Sequence, residues 1–433
     1  MKIAILGGGF TGLTAGYELA GKNHQVTLFE QQSHLGGLAQ GFKGEGWSWC
    51  LERAYHHLFA SDSDILNFAR ESGFEKIIFR SPETASFYRT DKDENNYGIF
   101  PLDSPQDFLR FPLLSWPAKI RSAAVLAFLK FSPFLSPYEK STAEDFLRQS
   151  MGEESWKVLW QELFRKKFGK YAENIVASFI WARINKRTKK LGYVEGGFQT
   201  LVDYLEKKNV ERKVSVKKNC RVNTIIKKRT GYEIGYRQGK SWGTEYFEAV
   251  ISTLPSPIIP VVGERLFPQE YLKRLKKLRY LFAVVIILEN NSGFLPQTYW
   301  LNICDPTMPL MFVGQHTNFI DKKYYAGHHL HYVGWYVDEE SKLLKMNTNE
   351  IKKFIAPSFR KINPNFPLFE SKSYIFKAAF AQPIFDRDFV ANRPDFMTPL
   401  PNFYIANLDM TYPYDRGTNY AVKLGKRVAK LIK

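Results

Sequence analysis

Residues 2–37 read KIAILGGGFTGLTAGYELAGKNHQVTLFEQQSHLGG, and this stretch decides the fold. Lys2 to Leu6 is mostly apolar and predicts a short buried strand. Gly7, Gly8 and Gly9 turn the chain, Gly12 opens a helix, and Val26 to Phe29 make a second strand ending in Glu30. The spacing is GxGxxG inside a βαβ unit, followed by an acid at the end of the second strand. Each part has a physical job. Gly7 permits the tight turn, and Gly9 lets backbone approach a pyrophosphate lying on the helix N-terminus. Gly12 lets helix and strand pack closely, and Glu30 is placed to accept from both ribose hydroxyls. Phe10 and Thr11, at the helix start, and Gln31, next to the acid, complete this part of the cofactor-binding set. With strand, helix, second strand and acid all in order, the segment reads as a dinucleotide site. Glu30 would repel a 2′-phosphate.

Gly36-Gly37 follows Glu30 after five intervening residues, with Leu38 next. The whole stretch resembles the extended dinucleotide signature of flavoproteins: amine oxidases, protoporphyrinogen oxidases, carotenoid desaturases and UDP-galactopyranose mutases. The resemblance implies FAD rather than NAD, with the second glycine pair allowing close approach of backbone to the cofactor. The sequence departs at Asn23, where a glycine is usual; Asn tolerates a left-handed backbone, so the departure costs little.

The chain has 433 residues, which predicts two or three domains. With 44% apolar and 24% charged residues it is an ordinary folded protein. Cys50, Cys220 and Cys304 show no disulfide or zinc spacing, which predicts a reducing, cytoplasmic setting. A strand that starts at residue 2 leaves no room for a signal peptide. The formal net charge of +18 suits an anionic surface, an acidic substrate or merely a solvated basic exterior. No nucleic-acid module accompanies it, so no nucleic-acid partner is expected.

Residues 1–80 are read as the first part of the FAD-binding domain and 81–190 as a substrate-side, largely helical excursion. Within it, FPLLSWPAKIRSAAVLAFLKFSPFLSP (111–137) is apolar and aromatic but too interrupted to span a membrane. Two readings stand: a buried helix beneath a substrate cavity, or a surface element dipping into an anionic membrane, with Lys119, Arg121 and Lys130 on lipid phosphates. In the second case the protein is peripheral on the inner membrane face. Thr142 with Asp145 predicts a capped helix start. Residues 191–258 return to the FAD domain, and 259–385 supply a mixed sheet with strands at 281–290, 298–303, 310–317 and 328–337. Residues 386–433 close the FAD domain with a strand (Phe403 to Ala406), a turn at Gly417 and a helix.

The resemblance covers nearly the full length and looks closest to the branch called protoporphyrinogen-oxidase-like or amine-oxidase-like. It implies that Val222 lies against the adenine, and that Asp409, Arg416, Gly417, Thr418 and Asn419 contact the flavin or its phosphates. Flavin carries the redox chemistry, so the protein must position substrate and exclude water. His56 and His57, after the glycine crossing, are candidates to donate to a flavin carbonyl or move a proton; a structural histidine is the alternative. Glu52 and Arg53 flank them as an expected ion pair. Neighbours in an extended segment face opposite ways, so at most one of the two histidines should meet the ring. Tyr299, Trp300 and Asn302 combine flat apolar faces with polar handles, as pockets or as sheet packing. Tyr193, Glu195, Gly196, Gly197 and Gln199 form either a cavity loop or a plain turn. The histidines at 316, 328, 329 and 331 lack the carboxylate spacing of a metal site, so no metal is expected.

Amine oxidases usually place a lysine near the flavin on the strand corresponding to 281–290; here that strand is LFAVVIILEN. The expected class is therefore an α/β protein: a discontinuous Rossmann-like FAD domain plus a mixed-sheet and helical substrate domain. The expected reaction is FAD-dependent oxidation of a small, largely apolar or lipid-like molecule. The alternative is a redox-neutral sugar-nucleotide mutase similar to UDP-galactopyranose mutase.

Overall fold

Ile3, Ala4, Ile5 and Leu6 have no polar face, and all four are buried at the centre of a parallel sheet. The computed structural model describes residues 1–90 and 96–433. The sheet order is Ser215–Lys217, Gln25–Phe29, Lys2–Leu6, Ala249–Ser252, Phe403–Ile405, every pair parallel. Leu6 pairs with both Phe29 and Ser252, and Ser252 with Ile405, so four strands end level along one carboxyl edge. In doubly wound sheets that edge is where ligands bind. The strands come from three separated stretches of sequence, as the discontinuous nucleotide fold requires.

Helices cover the sheet and come close where side chains vanish. Helix Thr418–Leu431 packs on helix Phe10–Ala20; a Cβ on Gly425 would sit 2.6 Å from the Thr11 carbonyl oxygen. The Asn209 amide, on helix Phe198–Glu211, donates to the Leu13 carbonyl at 3.1 Å. Between the two halves of the sheet runs an antiparallel meander of Cys220–Lys227, Tyr232–Gln238 and Ser241–Phe247. Its third strand escaped the sequence reading. Its residues are mostly polar and half exposed, and its hairpin rests on Gly239 at φ +59°.

The other sheet has seven strands, in order Lys372–Pro383, Tyr280–Asn290, His329–Val337, Phe312–Gln315, Thr298–Ile303, Glu83–Arg89 and Tyr97–Pro101. Only the pairing of Thr298–Ile303 with Glu83–Arg89 is parallel, so the sheet is mixed. Two of its strands come from the stretch after residue 80, expected to be largely helical. Strand Tyr280–Asn290 is paired on both sides and buried from Ala283 to Asn290, which is why it reads as one apolar run. Leu191–Val194 is a strand of a further three-stranded sheet with Leu58–Phe59 and Ile77–Arg80, where the sequence suggested a loop.

Thr142 caps helix Ala143–Met151, its Oγ1 accepting from the Asp145 amide at 3.1 Å. The 111–137 segment forms helix Trp116–Phe131, and it is not a buried helix. Trp116 is 62% exposed, Ile120 66%, Phe128 63%, Phe131 82% and, just beyond the helix, Phe134 69%. Of the three cations expected on lipid phosphates, Lys119 is buried while Arg121 and Lys130 are exposed, and all three donate to backbone carbonyls. Lys119 donates to the Leu109 carbonyl (2.8 Å), Arg121 to Ser150 and Gln149, and Lys130 to Asn185 (3.0 Å) and Arg187 (2.9 Å). Among the described residues no helix is long and apolar enough to cross a membrane.

Candidate functional site

The glycine turns meet at the carboxyl edge. Gly7 has φ +109°, and its amide donates to the Phe29 carbonyl at 2.9 Å, tying the turn to the second strand. Gly36 and Gly37 have φ of +119° and +57°, and the Gly36 amide donates to Gly8 oxygen at 2.9 Å. A Cβ on Gly9 would meet only Gly37 Cα, at 4.0 Å; one on Gly12 would overlap the Gly7 carbonyl. The space before Gly9 is thus a slot between two backbone turns at a helix N-terminus, where a pyrophosphate fits. Phe10 and Thr11 are buried in the first helical turn behind the slot, while Gln31 and Leu38 are exposed on either side of it.

Glu30 is buried and holds the turns itself: Oε2 accepts from the Gly8 amide (2.9 Å) and Oε1 from the Gln32 amide (2.8 Å). The sequence assigned it to ribose alone. A carboxylate oxygen accepts more than one bond, so both roles are open to it. The Glu30 carbonyl accepts from the Cys220 amide at 2.8 Å, which brings half-buried Val222 past the acid; the meander ladder skips a residue between Val222 and Thr224.

Helix Thr418–Leu431 begins at Gly417, where a Cβ would meet only the Tyr420 ring at 3.5 Å. Thr418 and Asn419 are buried. The Asn419 Oδ1 accepts from the Ile65 amide at 3.0 Å, and its Nδ2 lies 3.5 Å from Asp64. Asp409 is buried; its Oδ2 accepts from Ser256 Oγ, and burial raises its pKa to about 6. Arg416 reaches the other sheet, donating to the Ala381 carbonyl at 2.8 Å and lying 4.5 Å from the Tyr336 ring centre. Of the five C-terminal residues expected at the cofactor, Asp409, Arg416 and Asn419 each make at least one side-chain hydrogen bond to protein.

The expected ring-side residues converge from distant sequence. His57 Nδ1 lies 3.3 Å from the Tyr299 hydroxyl, and His56 Nδ1 donates to the Ala54 carbonyl at 2.8 Å. The two imidazoles do point different ways. Both are desolvated, and burial lowers each pKa to about 4, so both are neutral near pH 7. Trp300 stacks on Phe312 at 3.9 Å, bonds Asn302 through Nε1 (2.9 Å) and meets Tyr55 edge-on at 4.4 Å. Tyr55, missed in the sequence, also places its hydroxyl 3.4 Å from that of Tyr336. A lone tyrosine before two histidines carries no periodic signal; only the fold brings it to Trp300.

The expected Glu52–Arg53 ion pair does not form. Glu52 accepts instead from the Tyr193 hydroxyl (2.8 Å) and the Phe198 amide (2.7 Å), and Arg53 lies over the Phe376 ring at 5.6 Å. Burial pushes the Glu52 carboxyl up to about 7. Gly196 and Gly197, at φ +86° and +88°, turn the chain beneath it, and Gln199 Oε1 accepts from the Gly41 amide at 3.0 Å. That loop is a brace under the glycine crossing. The remaining histidines each have their own partner: His316 with Tyr325 (2.8 Å), His328 with Glu289 (2.5 Å), His329 with Thr317 (3.1 Å), His331 with the Phe294 amide (3.1 Å).

Comparison with known proteins follows the same lines. A 4,4′-diapophytoene desaturase of Staphylococcus haemolyticus is 47% identical over 98 residues, which is 22% of this chain and 19% of that protein. The chain thus spans about a fifth of that relative's length. Putrescine oxidase bound to putrescine superposes over 100% of this chain and 99% of its own, with TM-score 0.75 and 15% identity. Reduced UDP-galactopyranose mutase does so over 100% and 95%, with TM-score 0.74 and 16% identity. At such identity these two establish the fold alone. The family model of flavin-containing amine oxidoreductases matches residues 10–433, so the chain, with its facing glycine turns, belongs to that family and is an FAD-dependent oxidoreductase.

Proposed function

We propose that this chain dehydrogenates a small, largely apolar molecule, with FAD held by residues 1–80, 191–258 and 386–433. The observation that carries the reading is the aromatic wall of Tyr55, Trp300 and Phe312 beside the neutral His57–Tyr299 pair. Such a wall sheds water and receives an apolar body. The apolar strand Tyr280–Asn290, with no lysine, and the similarity to a diapophytoene desaturase point the same way. FAD, when bound, accepts a hydride from a substrate C–H bond; a second hydrogen leaves as a proton, and oxygen or a quinone takes up the electrons. His57 and Tyr299 hold a hydroxyl and an imidazole at the mouth of the aromatic wall, where a neutral imidazole can accept that proton. Anaerobic mixing of the FAD-loaded protein with polyenes, with and without an acidic end group, should bleach its visible absorption in at least one case, and admitting air should restore the colour. Bleaching by putrescine alone would sink this reading. A mutase reading has one observation in its favour, the cations near Tyr55, and it predicts turnover without any acceptor consumed.

The exposed face of helix Trp116–Phe131 supports a peripheral membrane role in the same proposal. Five large apolar side chains stand on one surface of a protein of net charge +18, and each would contribute about 1.5–3 kcal/mol on burial. Replacing Trp116, Phe128 and Phe131 together by Ser should weaken binding to phosphatidylglycerol vesicles at least tenfold while FAD content is unchanged. Equal vesicle binding by the triple variant would remove the membrane role.

A further inference from the structure

Beyond the aromatic wall, the cleft side of the helical segment carries more positive charge than it neutralises. Lys167 ends helix Gln161–Phe168, Arg183 and Arg187 lie on and just after helix Ser178–Lys186, and Arg416 precedes the last helix. Two carboxylates answer these four cations. Asp415 sits 2.6 Å from Lys167 and 3.5 Å from Arg183; Asp103 sits 3.4 Å from Arg187. Asp103 also accepts from the Thr84 amide at 2.6 Å. The Arg416 side chain has no carboxylate partner among the described residues; it meets the Ala381 carbonyl, the Tyr336 ring and the Tyr55 hydroxyl, with Gln382 Oε1 at 3.5 Å.

The place is also desolvated. Burial lowers the Lys167 pKa to about 8 even with Asp415 beside it, and Arg183 and Arg416 lower it further. The His57 pKa is lowered chiefly by burial and then by His56, Arg187 and Arg183, which puts those guanidiniums within electrostatic reach of the His57–Tyr299 pair. Arg183 and Arg187 nonetheless keep nearly half of their side-chain surface accessible. Buried Lys167 and Arg416, beside two half-exposed guanidiniums, gain from an anion that joins them.

We propose that Lys167, Arg183, Arg187 and Arg416 form a subsite for an anionic group of the substrate, a carboxylate or a phosphate. The inference rests on the dehydrogenase reading and sharpens it. The substrate is an anionic amphiphile, its apolar body on Tyr55 and Trp300 and its acidic end on the four cations. A protonated amine is repelled there. Arginine forks match the planar or tetrahedral oxygens of such groups and keep their charge at any working pH.

The test is calorimetric titration of the FAD-saturated protein, so that the pyrophosphate slot is filled, with pyrophosphate in one arm and dodecanoate in the other. Heat in the pyrophosphate arm alone identifies a phosphate head; heat in the dodecanoate arm alone identifies a carboxylate on an apolar chain. Arg183→Gln and Arg187→Gln, both half exposed, should each weaken the active probe about 10- to 100-fold at unchanged FAD content. No heat from either probe, or identical binding by the double variant, overturns the subsite. Failure of the function reading looks different: the probes bind and the variants weaken them, yet no apolar substrate bleaches the flavin.

Discussion

Gly12→Ala should give a colourless and destabilised protein, whereas Gly9→Ala should give a colourless protein of unchanged stability. The two glycines lie three residues apart and differ in what a methyl group would meet. At Gly12 it overlaps the Gly7 carbonyl and lies 3.3 Å from Ile5, so the helix must lift off the central strand. Overpacking of this kind costs about 1–3 kcal/mol. At Gly9 the methyl meets no protein atom nearer than Gly37 Cα at 4.0 Å, and the backbone, at φ −76° and ψ −178°, suits alanine. Its only victim is whatever occupies the slot. Visible absorption of the purified variants, with thermal unfolding of their FAD-free forms, separates the effects. A yellow Gly9→Ala protein with full FAD content would show that the slot does not hold the pyrophosphate.

Glu52→Gln should be more stable than the wild type at pH 8, and that advantage should shrink steadily as the pH falls to 4.5. The Glu52 carboxyl is fully buried and its pKa is raised from 4.5 to about 7. For an acid with a raised folded pKa, the protonated form favours the native state. That stability is complete below about pH 4.5 and is lost as pH rises through about 7. Across the window the loss is about 3 kcal/mol, since a tenfold change in proton affinity is worth about 1.36 kcal/mol. Glutamine cannot ionise, and it keeps an oxygen for the Phe198 amide. Denaturant midpoints of both proteins between pH 4.5 and 8 check this: the wild-type curve should fall relative to the variant. Parallel curves would mean that Glu52 stays ionised in the folded protein.

The nucleotide fold was legible because its physics is local. A strand, three glycines, a helix and an acid fall within thirty residues, and each element follows from its own residues. The charge on the substrate side was not legible in that way. Lys167, Arg183 and Arg416 sit in basic or turn-rich stretches that look like solvated surface, and only the helix packing brings two of them to Asp415. Asp409 and Asn419 show the opposite case. Their types suit phosphate or ribose contact, yet the fold spends both side chains on Ser256 and on the Ile65 amide. Helix Trp116–Phe131 shows a third limit. Composition shows its apolar character, but the exposure of its aromatic side chains, beside Lys119, Arg121 and Lys130 bonded to backbone carbonyls, is announced by no periodicity.

The parallel sheet joins the earliest and latest parts of the chain: strand Phe403–Ile405 is its edge, and Lys22 donates to the Ala429 carbonyl across 407 residues. On the ribosome, the first strand and its glycine turn emerge long before the strand and helix that complete their sheet. Until Ala249–Ser252 emerges, one side of the apolar first strand has no final neighbour and is open to wrong pairing. The complete FAD site therefore requires the last helix, and truncation before Thr418 should abolish flavin binding.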